Sequence, residues 1–200
     1  NWSALNTAEF AVIQTFTNLV ITEIMYHPAD DPDIDPDAYE FIELKNLNSF
    51  SIDVSGVRFS DGINYAFPLG RKLAPGEIVV LVKDPVAFAR RHPGVPVAGT
   101  FTGNLANSGE RITLVHAVGT PLFSVAYGDT PPWPVVADGQ GFSLVPAHPN
   151  LPFDPDDPAA WRASAAGGGS PGADDPPVNV SPVVINEALT HTDPPQVDAV

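Results

Sequence analysis

An acidic loop over residues 27–37 holds the side chains of this chain best suited to binding a metal ion. Carboxylate oxygens are the ligands that Ca²⁺ takes, about six to eight around one ion. The EF-hand pattern is excluded, because the loop lacks a Gly at the sixth position and a Glu at the twelfth. Pro32 and Pro36 favour extended backbone, which separates alternate carboxylates. The loop therefore predicts either a solvated acidic segment or a Ca²⁺ site formed by Asp31, Asp33, Asp35 and Asp37.

Three glutamates, Glu23, Glu40 and Glu43, fall on neighbouring predicted strands. Carboxylates brought close together could form a general acid and base pair or hold a hydrolytic metal. No nucleophile or histidine stands at a recognisable spacing from them, which argues against catalysis. We therefore favour a structural role, in which they cap loop amides at sheet edges or pair with Lys45, Arg58 or Arg111.

Trp133 stands between two prolines and, with Trp161, could offer an exposed surface on which a glycan ring stacks. Large aromatic side chains more often fill a core, so a buried plug between sheets is the favoured interpretation. The histidines show no close spacing to one another or to glutamate that suits zinc.

The strand that must position these residues is the run from Tyr39 to Leu47. Side chains alternate along a strand, so Ile42 and Leu44 share one face and are the expected core residues. The run from Leu19 to Tyr26 is the expected first partner. Pro85 to Arg91 predicts one or two helical turns, with Phe88 as the anchor.

Composition points to an all-β fold. The chain has 23 prolines and 16 glycines in 200 residues, and short β-branched runs recur between turn residues. Strand spacings of about 8 to 14 residues favour a two-sheet sandwich. With 9 basic against 24 acidic residues, the net charge of −15 disfavours binding to nucleic acid. There is no cysteine, and no apolar run approaches the roughly 18 residues of a transmembrane helix.

Several stretches resemble the lamin tail domain family in the order that the family shows. They are Val20 to Met25, Glu40 to Asn46, Val54 to Val57, Leu73 to Glu77, Leu105 to Glu110, Tyr127, Pro132 to Pro134, Asp138 to Leu144, Trp161 and Ser170 to Gly172. The resemblance implies an immunoglobulin-like β-sandwich without catalytic residues, of the kind also found in extracellular and surface-exposed multidomain proteins of bacteria. Lys45 and Asp174 depart from the family pattern, which often has an aromatic residue and an Asn there.

The sequence further divides into four predicted parts. Residues 1–17 resemble the last strand of the fibronectin-like domain at the end of chitobiases, and residues 18–165 form the sandwich. Residues 166–182 read as a linker rich in Gly, Pro, Ser and Asp. Residues 183–200 repeat the start of the sandwich, because Val184 to Leu189 resembles Val20 to Met25. They predict a tandem second copy whose first strand could pair with another sheet edge and cause self-association.

These observations predict a non-catalytic structural or protein-interaction module of a large extracellular bacterial protein, with any secretion signal outside this sequence. The expected partners are other domains of the same polypeptide or other proteins, and no cofactor is expected unless Ca²⁺ binds. The first alternative is a ligand-binding module for Ca²⁺ or a glycan. The second is a metal-dependent hydrolase built on the three glutamates.

Overall fold

The computed structural model describes residues 15–148 and 153–178. These residues form short strands, one α-helix, α1 (Pro85–Arg91), and three brief 3₁₀ turns. The strands are β1 (Leu19–Met25), β2 (Phe41–Asn46), β3 (Ile52–Asp53), β4 (Arg58–Asp61), β5 (Lys72–Leu73), β6 (Ile78–Val82), β7 (Gly99–Thr100), β8 (Glu110–Val115), β9 (Pro121–Tyr127), β10 (Leu144–Pro146) and β11 (Trp161–Ala163). Among the described residues, no helix is long and apolar enough to cross a membrane.

The larger sheet has six strands in the order β11, β10, β1, β2, β6, β7. β2 lies inside it, antiparallel to β1 on one edge and to β6 on the other. The prediction that the run from Leu19 to Tyr26 is the first partner of the central strand is therefore confirmed. Ile42 and Leu44 are fully buried, as their alternation along the strand predicted.

A three-stranded sheet in the order β4, β8, β9 and a two-stranded sheet of β3 and β5 accompany the larger sheet. Ile42 and Leu44 belong to the same core as Ile112 and Leu114 of β8, so apolar side chains fill the space between sheets. The all-β sandwich predicted from turn spacing is confirmed, as is the immunoglobulin-like fold that the family resemblance implied.

The other face of β2 is also buried, because α1 lies against it. Phe41 packs edge-on against Phe88 of α1, with ring centroids 5.6 Å apart, and both belong to a second apolar cluster with Val80 and Val82. Asp84 begins the helix by accepting from the backbone N–H groups of residues 86 and 87, and Pro85 takes the first helical position. The predicted bounds of this helix and its Phe88 anchor are confirmed.

Residues 165–178, here called the C-terminal strap, also lie against the six-stranded sheet. The Gly168 N–H donates to Gly141 O at 2.6 Å, and the Gly172 N–H donates to the Glu43 carboxylate at 2.7 Å. Lys45 lies two residues after Glu43 on β2, and its Nζ contacts Asp174. Beyond Asp174 the strap still contacts the sheet, because Asp175 pairs with Arg162 of β11 and the Pro176 carbonyl accepts from the same guanidinium.

The strap differs from the linker predicted over residues 166–182. Its composition suggested a segment that does not stay folded alone, yet the described part lies against the sheet, held by hydrogen bonds and with Pro171 buried. The predicted fibronectin-like strand over residues 1–17, apart from its last three residues, and the second copy over residues 183–200 lie outside the described residues. Both stay predictions.

Candidate functional site

Two buried glutamates face each other across the centre of the larger sheet. Glu23 of β1 and Glu43 of β2 are directly paired residues in the antiparallel register, and each is about 1% exposed. Both lie under the C-terminal strap. This cluster, Glu23 and Glu43 with the strap, thus places two buried carboxyl groups side by side beneath one segment.

The strap and its surroundings satisfy the two carboxylates with hydrogen-bond donors. Glu23 Oε1 accepts from the Ser170 N–H at 2.9 Å and from the Ser143 hydroxyl. Glu43 Oε2 accepts from the Gly172 N–H at 2.7 Å, and its Oε1 accepts from the Thr22 hydroxyl at 2.6 Å. A carboxylate removed from water needs such donors, since a buried acceptor without a partner is costly.

Burial changes the acid strength of this pair. Burial is the main cause that raises the pKa of Glu23 to about 8; the hydrogen bonds from Ser143 and Ser170 oppose this shift, and the Glu43 and Asp175 carboxylates add to it. Burial likewise raises the pKa of Glu43 to about 7. Two acids that hold protons near neutral pH are chemically capable of proton transfer.

The basic side chains near the strap pair with aspartates rather than with these glutamates. Lys45 Nζ lies 2.5 Å from Asp174 Oδ1, and Arg162 Nη1 lies 2.5 Å from Asp175 Oδ2. Arg58 donates to main-chain carbonyls, and Arg111 pairs with Asp156. Of the two structural roles considered for the glutamates, amide capping is therefore the one that the structure shows.

Glu40, the third glutamate, lies apart from this pair at the start of β2. Its Oε2 accepts from the Leu105 N–H at 3.0 Å and lies 4.0 Å from Lys83 Nζ, while Oε1 is buried with no hydrogen-bond partner. Burial raises the pKa of Glu40 to about 8, although Leu105 and Lys83 oppose that shift.

Three aspartates of the acidic loop make separate contacts. Asp31 accepts from the N–H groups of residues 33 and 34 and from the Tyr39 hydroxyl, and its Oδ2 lies 3.7 Å from Arg91. Asp35 caps the short 3₁₀ turn at Pro36–Tyr39, and Asp37 accepts from Asn104.

The carboxylates of this loop are therefore held apart by separate contacts, and a Ca²⁺ site formed by them stays a prediction. Within residues 15–148 and 153–178, no group of three or more His, Asp or Glu side chains is arranged to hold a metal ion. This includes the side chains of Asp31, Asp33, Asp35 and Asp37. The physical reason is that local backbone N–H groups and one arginine orient these carboxylates separately. Ca²⁺ binding itself stays untested.

Trp133 is half-buried rather than presented as a flat exposed surface. Its indole packs on Trp161, with ring centroids 6.4 Å apart, and a side chain at Gly128 would press on the indole, since an added Cβ would lie 2.9 Å from Trp133 Cδ1. It lines the main core. Glycan stacking on Trp133 stays a prediction.

Four residues were not predicted as site residues: Ser170 and Gly172 of the strap, and Lys83 and Asn104, whose side chains contact each other. A signal for the strap was present, because Ser170 to Gly172 matches the end of the lamin tail pattern. No local pattern marks Lys83 or Asn104, which come together only through the fold.

Comparison with known proteins agrees with the architecture. The family model described as Lamin Tail Domain matches residues 14–129, which is more than half of the chain. No curated protein matches the sequence. The match spans β1 to β9, and thus includes both glutamate-bearing strands. The chain belongs to the lamin tail domain family.

Proposed function

We propose that this chain is a non-catalytic structural or protein-interaction module of a large, multidomain extracellular bacterial protein. Its partners in this proposal are other domains of the same polypeptide or other proteins. The family membership supports a module, since lamin tail domains are immunoglobulin-like units. The extracellular setting rests on the resemblance to bacterial surface proteins.

The single observation that carries the proposal is that Glu23 and Glu43 hold the strap against the sheet. With pKa values near neutral pH, both acids are able to transfer protons in a reaction. In this fold, however, both accept hydrogen bonds from the backbone of the strap. Their surroundings also leave little room for a substrate, because the gap beside them has a volume of only about 10 Å³. A cavity of that size holds about one water molecule.

A hydrolysis assay with matched variants tests the non-catalytic role. The folded chain is assayed with phosphodiester, peptide and glycoside substrates, beside a Glu23→Gln, Glu43→Gln double variant of the same shape. We expect no turnover by either protein. Turnover by the parent chain that the folded double variant lacks would overturn the proposal and favour a hydrolase.

The interaction role is tested separately by calorimetry. The described module is titrated with the domains that flank it in the complete polypeptide, and with the same domains after heat denaturation. Saturable heat with folded neighbours only is the expected result. The interaction role would be rejected by two results together. Neither preparation would give heat of binding, and the module and its neighbours would melt independently when joined in one chain.

A further inference from the structure

Glu40 brings two distant parts of the chain into contact. Its main-chain carbonyl accepts from the Lys83 N–H at 3.1 Å, just beyond the end of β6. Its side-chain Oε2 accepts from the Leu105 N–H at 3.0 Å, in the loop before β8. Both bonds involve a residue whose side chain is fully buried. Lys83 and Asn104 are consequently held side by side on a fixed support.

The side chains of Lys83 and Asn104 are in contact. Lys83 Nζ contacts Asn104 Oδ1, so the amine lies against the carbonyl of a carboxamide. The amide nitrogen of Asn104 points the other way and donates to Asp37 Oδ2 at 2.6 Å. A nucleophile fixed against an electrophile gains a large effective concentration, which can replace much of the catalysis that an enzyme would supply.

A proton carrier stands beside the amine. Glu40 Oε2 lies 4.0 Å from Lys83 Nζ, and Glu40 Oε1 is buried without any hydrogen-bond partner. Three charged groups influence this carboxyl: Lys83 favours its ionised form, while Asp37 and Glu110 disfavour it. In its ionised form this carboxyl can accept a proton from the amine, and in its protonated form it can donate one to the departing nitrogen.

We propose that Lys83 and Asn104 join spontaneously through an isopeptide bond, with Glu40 as the catalytic residue that moves the protons. Lys83 Nζ attacks Asn104 Cγ, a C–N bond forms, and the bond from Cγ to Nδ2 breaks. The ammonium of Lys83 loses two protons and the departing nitrogen gains two, so it leaves as ammonium. No oxidant, reductant or cofactor is needed for this balance.

A second lysine pair provides a contrast within the same molecule. Lys45 Nζ lies 2.5 and 2.7 Å from the two oxygens of Asp174, but that carboxylate is 51% exposed. An ionised, hydrated carboxylate is a poor electrophile, because attack would place a second negative charge on its oxygens. The neutral carboxamide of Asn104 has no such barrier. We therefore assign Lys45 and Asp174 to an ordinary ion pair.

The cross-link would close a covalent ring between residues 83 and 104. This ring contains α1 and β7, the edge strand of the six-stranded sheet. The chain has no cysteine, so this bond would supply the kind of restraint on the unfolded chain that disulfides give to other domains. The inference does not depend on the proposed interaction role, since it rests on Glu40, Lys83 and Asn104 alone.

Intact mass and peptide mapping of the purified chain test the proposal. We expect the folded protein to weigh one ammonia less than its sequence. Trypsin should then fail to cut at Lys83, so that peptide 73–90 stays joined to peptide 92–111. A Lys83→Arg variant should have the full mass, and a Lys45→Arg variant, its matched control, should keep the deficit.

Two further results complete the test. Succinimide formation at an asparagine also loses ammonia, but it needs no lysine and would persist in Lys83→Arg, which would overturn the proposal. Glu40→Gln keeps the shape of the side chain without its proton transfer, so we expect a folded protein of full mass. A parent chain with full mass and separate 73–83 and 92–111 peptides would likewise refute the cross-link.

Discussion

At the scale of single residues, the buried glutamates make the stability of this domain depend on pH in an unusual direction. Glutamate has a pKa near 4.5 before folding, whereas burial raises the pKa of Glu23 and of Glu40 to about 8 and that of Glu43 to about 7. The folded state therefore binds more protons than the unfolded state between these values. The resulting stabilisation is complete below pH 4.5 and is lost as pH rises through 7 and 8.

We accordingly expect the free energy of unfolding to fall between about pH 5 and about pH 8. One pKa unit corresponds to about 1.4 kcal/mol, so the loss from Glu23 alone is a few kcal/mol. Urea unfolding at both pH values gives the comparison. In Glu23→Gln the slope should become shallower, because Gln does not titrate. A parent protein equally stable at both pH values, or more stable at the higher one, would show that these acids are ionised in the folded state.

Core and loop residues should differ sharply in their effect on stability. Leu44 is fully buried in the main core, so Leu44→Ala should cost about 2 to 5 kcal/mol through lost burial and an unfilled cavity. Asp33 is exposed in the acidic loop, and Asp33→Ala should change stability by less than about 0.5 kcal/mol. Chemical denaturation of both variants measures the difference. Similar losses in the two would contradict the burial of Leu44 as the source of stability.

At the scale of elements, the strap is a segment that binds by its backbone. Gly169 has a φ of 79°, and a Cβ there would collide with Glu23 Oε1. The absence of a side chain therefore lets the strap approach close enough for the Ser170 N–H to reach the same carboxylate.

Gly169→Ala should separate the strap from the sheet. Gly76 is a matched control, because its φ is 73° and nothing lies within 4 Å of an added Cβ. Both substitutions introduce the same backbone strain, of order 1 kcal/mol, but only the first adds a collision. Hydrogen exchange at Ser170 and Gly172 should quicken in Gly169→Ala and stay slow in Gly76→Ala. Equal protection in the two variants would show that Glu23 moves aside and the strap stays bound.

The elements also show what sequence alone could establish. β1, β2 and α1 were predicted because each carries its own signal: alternation for the strands, and Pro85 with the Phe88 anchor for the helix. β11 and the strap were not predicted. The glycine, serine and proline residues of the strap carry no local signal for the distant acceptors of their backbone N–H groups. The partner of the Ser170 N–H is 147 residues away in the sequence. Lys83 and Asn104 escape prediction for the same reason.

At the scale of the whole molecule, the folded unit extends beyond the part that the family model matches. That match ends at residue 129, yet β10 pairs with β1 and β11 pairs with β10 in the same sheet. Without them, β1 becomes an edge strand and Glu23 loses its contacts with Ser143 and Ser170. Segments after residue 129 thus complete the sheet.

A version of the chain that stops at residue 129 should therefore not unfold cooperatively. We expect a broad thermal transition and exposed apolar surface, because β1 loses β10 on its outer edge. A version that stops at residue 178 keeps β10, β11 and the strap, and should melt in one sharp step. Calorimetry of the two compares them directly. Equal, cooperative melting would show that the residues after 129 are dispensable for folding.

The position of the strap in the chain has a consequence for how the domain responds to a pulling force. The strap follows β11, and its contacts reach from Glu23 and Glu43 on β1 and β2 to Arg162 on β11. A force applied on the C-terminal side would therefore reach the strap before it reaches the strands. We expect the strap to detach before the core opens, because the strands also bury apolar side chains between the sheets.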